Sequence, residues 1–485
     1  MSLRAHSALV ARAGAAGTVL LGVTLCAADG PTSGKPGELP EVVVLNDNGA
    51  WSWFEDERAV VDPVSGTLVV SSVADGSGTG GMTRDGNVEV AVHDIAAGTT
   101  RRNVLHAHLQ DDDHDSAALY LRPDGRYVAM YSRHATDRLT RWRVSDPANG
   151  AGWSPERALD HGSAVTYSNV YPARDGRLYA FVRAAGLDPH ILVSDDEGVS
   201  WRAGGRLLNG PGRPYVRYAA DHTGRIHILA TEQHPHAAPT SIYHGIIDEG
   251  RLLRSDGTVV DADLSEDVAV RTERLTSVFA ANGGERAWTV DLQIDAHGRP
   301  HAVISVHGRE AANDYWYSWF DGAAWRTHFL APAGNALYRG QPFYTGLVAI
   351  DPGDVGRVVI STDVHPATDA PLVSAADGQQ HHELFEGITT DGGATWHWTT
   401  ITADSTADNL RPIIPIWDSD QRALLWLRGI YTKYTDYDLD VVAMITERRA
   451  ITPDAAEAAS VAAAGAGHPV VASEPAVRRR WRRRC

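Results

Sequence analysis

Ser194-Asp195-Asp196-Glu197-Gly198-Val199-Ser200-Trp201 and Thr389-Thr390-Asp391-Gly392-Gly393-Ala394-Thr395-Trp396 are two copies of one pattern, Ser/Thr-x-Asp-x-Gly-x-Ser/Thr-Trp. The Asp and Gly form a tight hairpin turn, and the Trp that follows is placed to pack between neighbouring sheets. A motif of this kind specifies architecture and carries no chemistry. Degenerate relatives, Asp321-Gly322-Ala323-Ala324-Trp325 and Asp248-Glu249-Gly250, mark further hairpins.

A second signature recurs around these copies. Pro123-Asp124-Gly125-Arg126, Arg174-Asp175-Gly176-Arg177, His222-Thr223-Gly224-Arg225 and His297-Gly298-Arg299-Pro300 each precede a short run of strand formers. Their glycines lie 51, 48 and 74 residues apart. A unit of about fifty residues with one long insertion is what four-stranded propeller blades produce. β-branched and aromatic runs punctuated by Gly, Pro and Asp fill the chain between 40 and 450, without a long amphipathic helix. The expected fold is all-β, a seven-bladed β-propeller.

With 485 residues, 43% hydrophobic and 22% charged, the chain can bury a large core, and bulk disorder is excluded. A net charge of −17 makes nucleic acid and anionic membranes poor partners. Two cysteines, Cys26 and Cys485, leave no disulfide framework and no cysteine metal site. Residues 1–28 read as a secretory signal peptide, with Arg4 and Arg12 before the apolar stretch 13–25, so a secreted protein is expected. Residues 29–39 read as a linker, 40–450 as the propeller, and 451–485 as an Ala-rich tail with an Arg-rich end.

The residues that could carry chemistry cluster between 114 and 244. Asp111-Asp112-Asp113-His114-Asp115 sets a histidine among carboxylates just before a strand, where they would raise its pKa and hold its ring. His134 ends the next strand, twenty residues on. Tyr167 and Arg183, sixteen apart, span one strand pair of the following blade. Tyr215-Val216-Arg217-Tyr218, His234 and Tyr243-His244 continue the series. Tyr, His and Arg without a catalytic carboxylate pair suit β-elimination on a uronic acid: a cation neutralises the carboxylate so that a Tyr or His can take the C5 proton. Glycoside hydrolysis ordinarily requires two Asp/Glu.

At these residues the sequence resembles the BNR-repeat propellers that include ulvan lyases and lyases cutting rhamnosyl-glucuronate linkages; its hairpin pattern is their Asp-box. The resemblance runs over 48–440, through Trp51-Ser52-Trp53-Phe54-Glu55-Asp56-Glu57-Arg58-Ala59, Asp113-His114-Asp115, Tyr131-Ser132-Arg133-His134, Tyr167-Ser168-Asn169 and Ser241-Ile242-Tyr243-His244. It implies a polysaccharide lyase with His114, Tyr167, Arg183 and His134 as catalytic residues, Tyr167 serving as base and acid. Arg217, Tyr218, His234, Tyr243 and His244 are expected to bind substrate. The implied partner is an anionic polysaccharide met by a monomer. No cofactor and no catalytic metal is required, although a structural divalent cation, Ca or Zn, is compatible with the resemblance. Related propellers hydrolyse rhamnose next to glucuronate, so a rhamnosidase remains an alternative, as does a non-catalytic carbohydrate-binding propeller. A sialidase is disfavoured, because no Arg-Ile-Pro element stands near the start of the domain.

Overall fold

The computed structural model describes residues 41–448 except 148–151, 267, 269, 309–312 and 339. The expected signal peptide, the linker and the tail lie outside the described residues. Seven antiparallel sheets form the blades of the expected propeller. In blade 1 the strands run Ala59–Asp62, Thr67–Val73, Val88–Asp94 and Thr99–His106 in simple meander order. Blades 2 (118–160), 3 (166–206), 5 (286–332) and 6 (348–400) repeat that order, and the first strands of successive blades pack on one another around the axis. Blade 4 (216–279) adds Val259–Asp261 and Thr276–Phe279 to its meander, which accounts for the long gap in the repeat.

Blade 7 is built from both ends of the chain. Asp408–Ile413, Gln421–Lys433 and Asp436–Glu447 supply three strands, and Val43–Asn46 supplies the fourth, with Val43 opposite Ala443.

The hairpin motifs act as their composition requires. Ser194 Oγ accepts the Gly198 amide at 2.8 Å and Asp196 accepts the Ser200 amide at 2.8 Å. Thr389 and Asp391 do the same for Gly393 and Thr395 at 2.9 Å each. Gly198 and Gly393 have φ of 81° and 93°, and a Cβ there would strike Val128 and Tyr317 of the preceding blades at 2.7 and 2.6 Å. Trp201 joins a buried cluster with Met130 and Trp142 of blade 2, and Trp396 meets Tyr317 of blade 5 edge-on at 5.3 Å. The motif is thus a seam between blades. The Gly-Arg turns are held by one carboxylate each: Asp221 accepts the Thr223 and Arg225 amides at 2.8 and 3.0 Å, and Asp295 those of His297 and Arg299 at 2.8 Å.

Candidate active site

Because the ladders alternate in direction, the connections between blades and the turns between second and third strands share one end of the ring. These segments, with Trp288 from the first strand of blade 5, line a cavity of about 240 Å³ with His114, His134, Arg213, Tyr215, His234, His236, Gln341, Tyr344 and Tyr434. The motif turns lie at the opposite end.

His114 sits in a short 3₁₀ turn, Asp113–Asp115, capped by the Asp112 side chain. Asp112 grips two imidazoles at once: Oδ1 meets Nδ1 of His114 at 2.6 Å, and Oδ2 meets Nδ1 of His134 at 2.8 Å. The two rings are stacked, with centroids 3.9 Å apart, so both Nε2 atoms are left for other partners. Burial opposes the His114 imidazolium, yet Asp112 and Asp113 hold its pKa well above the ordinary range. Burial, together with the charge of His114, pushes His134 down. One carboxylate therefore holds a charged ring against a neutral one. Tyr431 donates to Asp113 at 2.9 Å, and the Asp113 amide donates to the Tyr434 carbonyl at 3.0 Å, docking the tip of the long blade 7 hairpin on this turn.

Tyr167 occupies a bulge at the head of blade 3, with φ of 65° and a register shift between Thr166 and Asn169. Its ring lies parallel to that of His114 at 5.5 Å. Arg183, opposite Thr166 on the second strand, places its guanidinium 5.3 Å from the centre of the Tyr167 ring and 4.2 Å from that of Tyr215. Arg183 is 5% exposed; Nε donates to the Leu187 carbonyl, and Nη2 is buried without a hydrogen-bond partner. The two phenols are driven apart. Burial and the neighbouring Tyr215 push Tyr167 well above the ordinary value. Burial acts on Tyr215 in the same sense, but Arg183 and His114 outweigh it and leave the Tyr215 pKa lowered. His234 meets Tyr215 edge-on at 5.0 Å, and burial with the charges of Arg213 and Arg183 brings its pKa down to about 3.

The family model described as BNR repeat-containing family member matches residues 79–333, just over half of the chain. The chain belongs to this family. No curated protein matches its sequence. Among solved structures, this BNR repeat-containing chain is similar to an ulvan lyase bound to a -[GlcA(1-4)Rha3S]- fragment, with TM-score 0.61 and 13% identity over 86% of this chain and 98% of that one. It is also similar to the polysaccharide lyase Uly1, with TM-score 0.54 and 12% identity over 85% of this chain and 100% of that one. At such identities the likeness is one of fold.

In this BNR repeat-containing chain the structure brings together His114, His134, Tyr167, Arg183 and His234, as the sequence led us to expect. It separates the other four. Arg217 lies two residues after Tyr215 and on the same face of its strand, one step deeper along the axis. There its guanidinium donates to the Glu55 carbonyl and lies 3.6 Å from Asp56 and 3.7 Å from Glu57. Tyr218 points to the other face and stacks on Phe181 at 4.0 Å. Tyr243 and His244 belong to the third strand of blade 4, away from the axis. His244 is buried between His227, at 3.1 Å, and Ser255, at 2.8 Å.

That buried pair gives a stability test. Burial depresses both histidines, His244 most strongly. Their contribution is therefore present while the unfolded histidine is neutral, above about pH 6.5, and is lost as pH falls. We expect the drop in Tm from about pH 7 to pH 5 to be smaller in His244→Gln than in the parent. Equal drops would show that the pair does not titrate on unfolding.

Tyr215, Arg213, His236, Trp288, Gln341, Tyr344 and Tyr434 carried no expected role. The signal for Tyr215 was present, since it stands one residue before the strand that holds Arg217. Trp288 comes from the first strand of blade 5 and the others from connections and turns, whose convergence only the closed ring creates. For metals, the carboxylates of Asp75, Asp85 and Asp111 converge and could accept a hard cation such as Ca²⁺; they include no histidine or cysteine of the kind Zn²⁺ favours. Asp112, His114 and His134 also converge, but their facing atoms are engaged with one another at hydrogen-bond distance.

Proposed function

We propose that this protein is a polysaccharide lyase that cleaves a uronic-acid glycan of the rhamnosyl-glucuronate type by β-elimination. The observation that carries the reading is Arg183, a buried guanidinium with an unpartnered Nη2 between two tyrosines of opposed pKa shift. Among the described residues that line the cavity there is no Asp or Glu, which favours elimination over two-carboxylate hydrolysis. The ulvan lyase with a bound glucuronate-rhamnose 3-sulfate fragment supports the choice of substrate class.

The uronate carboxylate binds Arg183, with the His114 imidazolium adding positive charge, and the C5 proton becomes acidic as negative charge spreads onto the carboxylate. The Tyr215 phenolate oxygen takes that proton. The C5–H electron pair becomes the C4=C5 double bond, the C4–O bond breaks, and the departing oxygen takes the Tyr167 proton. Passage of a proton from Tyr215 to Tyr167 restores the starting state.

Elimination leaves a conjugated unsaturated uronate and hydrolysis does not. Incubation with ulvan, and separately with gum arabic, is expected to raise the ultraviolet absorbance of that chromophore in step with new reducing ends for at least one of the two. New reducing ends without the chromophore would identify a hydrolase of the rhamnosidase type. Binding without either would identify a carbohydrate-binding propeller.

A further inference from the structure

The segment Trp51-Ser52-Trp53-Phe54-Glu55-Asp56-Glu57-Arg58 has no part in the chemistry above, yet Trp51, Trp53, Phe54, Glu55, Asp56 and Arg58 are all buried. It crosses the axis directly beneath the cavity: Phe54 stacks on Trp288 at 3.6 Å, Trp53 donates to the Thr345 carbonyl at 2.7 Å, and the Glu55 carbonyl accepts from Arg217 and, at 2.7 Å, from Arg411.

Its side chains converge on the bulge that carries Tyr167. The ladder between the first two strands of blade 3 skips from Thr166 to Asn169, so the Ser168 amide has no partner on the second strand. That buried amide donates to Glu55 Oε1 at 3.3 Å. The same oxygen is held by Arg58 at 2.7 Å, and both Nη atoms of Arg58 donate to Asn169 Oδ1 at 3.1 Å. The Asp56 amide donates to that Oδ1 as well, at 3.3 Å. A tyrosine in the left-handed region is a conformation that surrounding structure must impose. Here the peptide on its C-terminal side is held by groups lying more than a hundred residues away in sequence.

We infer that Glu55 is a positioning residue that acts through Tyr167: its carboxylate, fixed by Arg58, holds the Ser168 amide and thereby the left-handed backbone that places the Tyr167 phenol beside Arg183 and His114. The inference rests on the proposed role of Tyr167 for its effect on turnover, and on geometry alone for its effect on the ring.

The test uses full-length protein carrying 3-fluorotyrosine at position 167, in the parent and in Glu55→Gln, Glu55→Ala and Asn169→Ala. Gln keeps an oxygen for the Ser168 amide; the Ala variants remove one acceptor each. We expect the fluorine resonance of Glu55→Gln to stay close to the parent's and those of both Ala variants to shift or broaden. On a glycan that the parent cleaves, kcat is expected to fall by about 10²-fold in Glu55→Ala with KM nearly unchanged, as for a misaligned reacting group, while Glu55→Gln retains most of it. Asn169→Ala leaves Glu55 in place and reports on the same bulge if Glu55→Ala does not fold. Parent-like resonances in both Ala variants, or equal loss in Gln and Ala, would overturn the inference. If the parent cleaves no glycan, the functional reading fails while the fluorine spectra still decide the clamp.

Discussion

Tyr215→Phe is expected to lower kcat by about 10³-fold with little change in KM, because the phenyl ring keeps the packing against Trp288 and Arg183 and loses only the oxygen that takes the proton. The Arg183 guanidinium 4.2 Å from its ring, together with the charge of His114, favours the ionised form of this tyrosine and suits it to the role of base. Removing a proton from carbon at neutral pH needs a phenolate, and Arg183 with His114 stabilises that form at Tyr215, whereas the neutral phenol is favoured at Tyr167. Tyr167→Phe should fall by a similar factor through loss of the acid, and the double variant should be no worse than the poorer single one, since the two hydroxyls act as a unit. Steady-state kinetics of the three variants decide the assignment. Near-normal turnover in Tyr215→Phe would move the base to the neutral His134, whose Nε2 is not engaged by Asp112.

The second large effect is expected at Arg183. Arg183→Met should cost about 10²- to 10³-fold in kcat/KM, because the charge that develops on the uronate carboxylate would then lack its principal cation. Arg183→Lys should recover little of this: a lysine cannot lie flat against the two tyrosine rings while presenting a second N–H to a carboxylate. The same variants make a claim that needs no substrate. Without the guanidinium, Tyr215 loses the largest influence opposing its burial, so its ionisation should move up. Ultraviolet difference titration against Tyr215→Phe measures that shift directly. Full activity in Arg183→Lys, or an unmoved tyrosine titration in Arg183→Met, would sink the role assigned to it.

The architecture was far more legible in the sequence than the site, for a physical reason. Asp196 and Asp391 satisfy amides within four residues of themselves, so their function is written in contiguous sequence and recurs in blades 3 and 6. The cavity lies at the other end of the ring, where the connections are not repeated and each blade contributes different side chains. His114, His134, Tyr167 and Arg183 could still be found, because His114 stands in the turn that leads into a strand and the others stand at or near strand ends, each within about one hairpin of the next. Arg217 and Tyr218 were misplaced because depth along the axis and the choice of strand face follow from register, which the residue types do not reveal. Tyr434, Trp288 and Arg213 reach the cavity from three blades, and only closure of the ring makes them neighbours. His244 shows the reverse hazard: a histidine expected to bind substrate is hydrogen-bonded internally to His227.

The strand Val43–Asn46 does more than complete blade 7. It is followed at once by the segment that occupies the axis, so the residues gripping the Tyr167 bulge enter with the strand that joins the first part of the chain to residues some four hundred positions later. Contacts of such long range carry a large loop-closure entropy cost. A chain that has made six blades but not sealed the seventh would lack both the seal and the clamp. The connection between them is tied down as well, the Gly49 amide donating to the Leu439 carbonyl at 2.9 Å, so the seal of the ring and the clamp on the bulge are one continuous piece of chain.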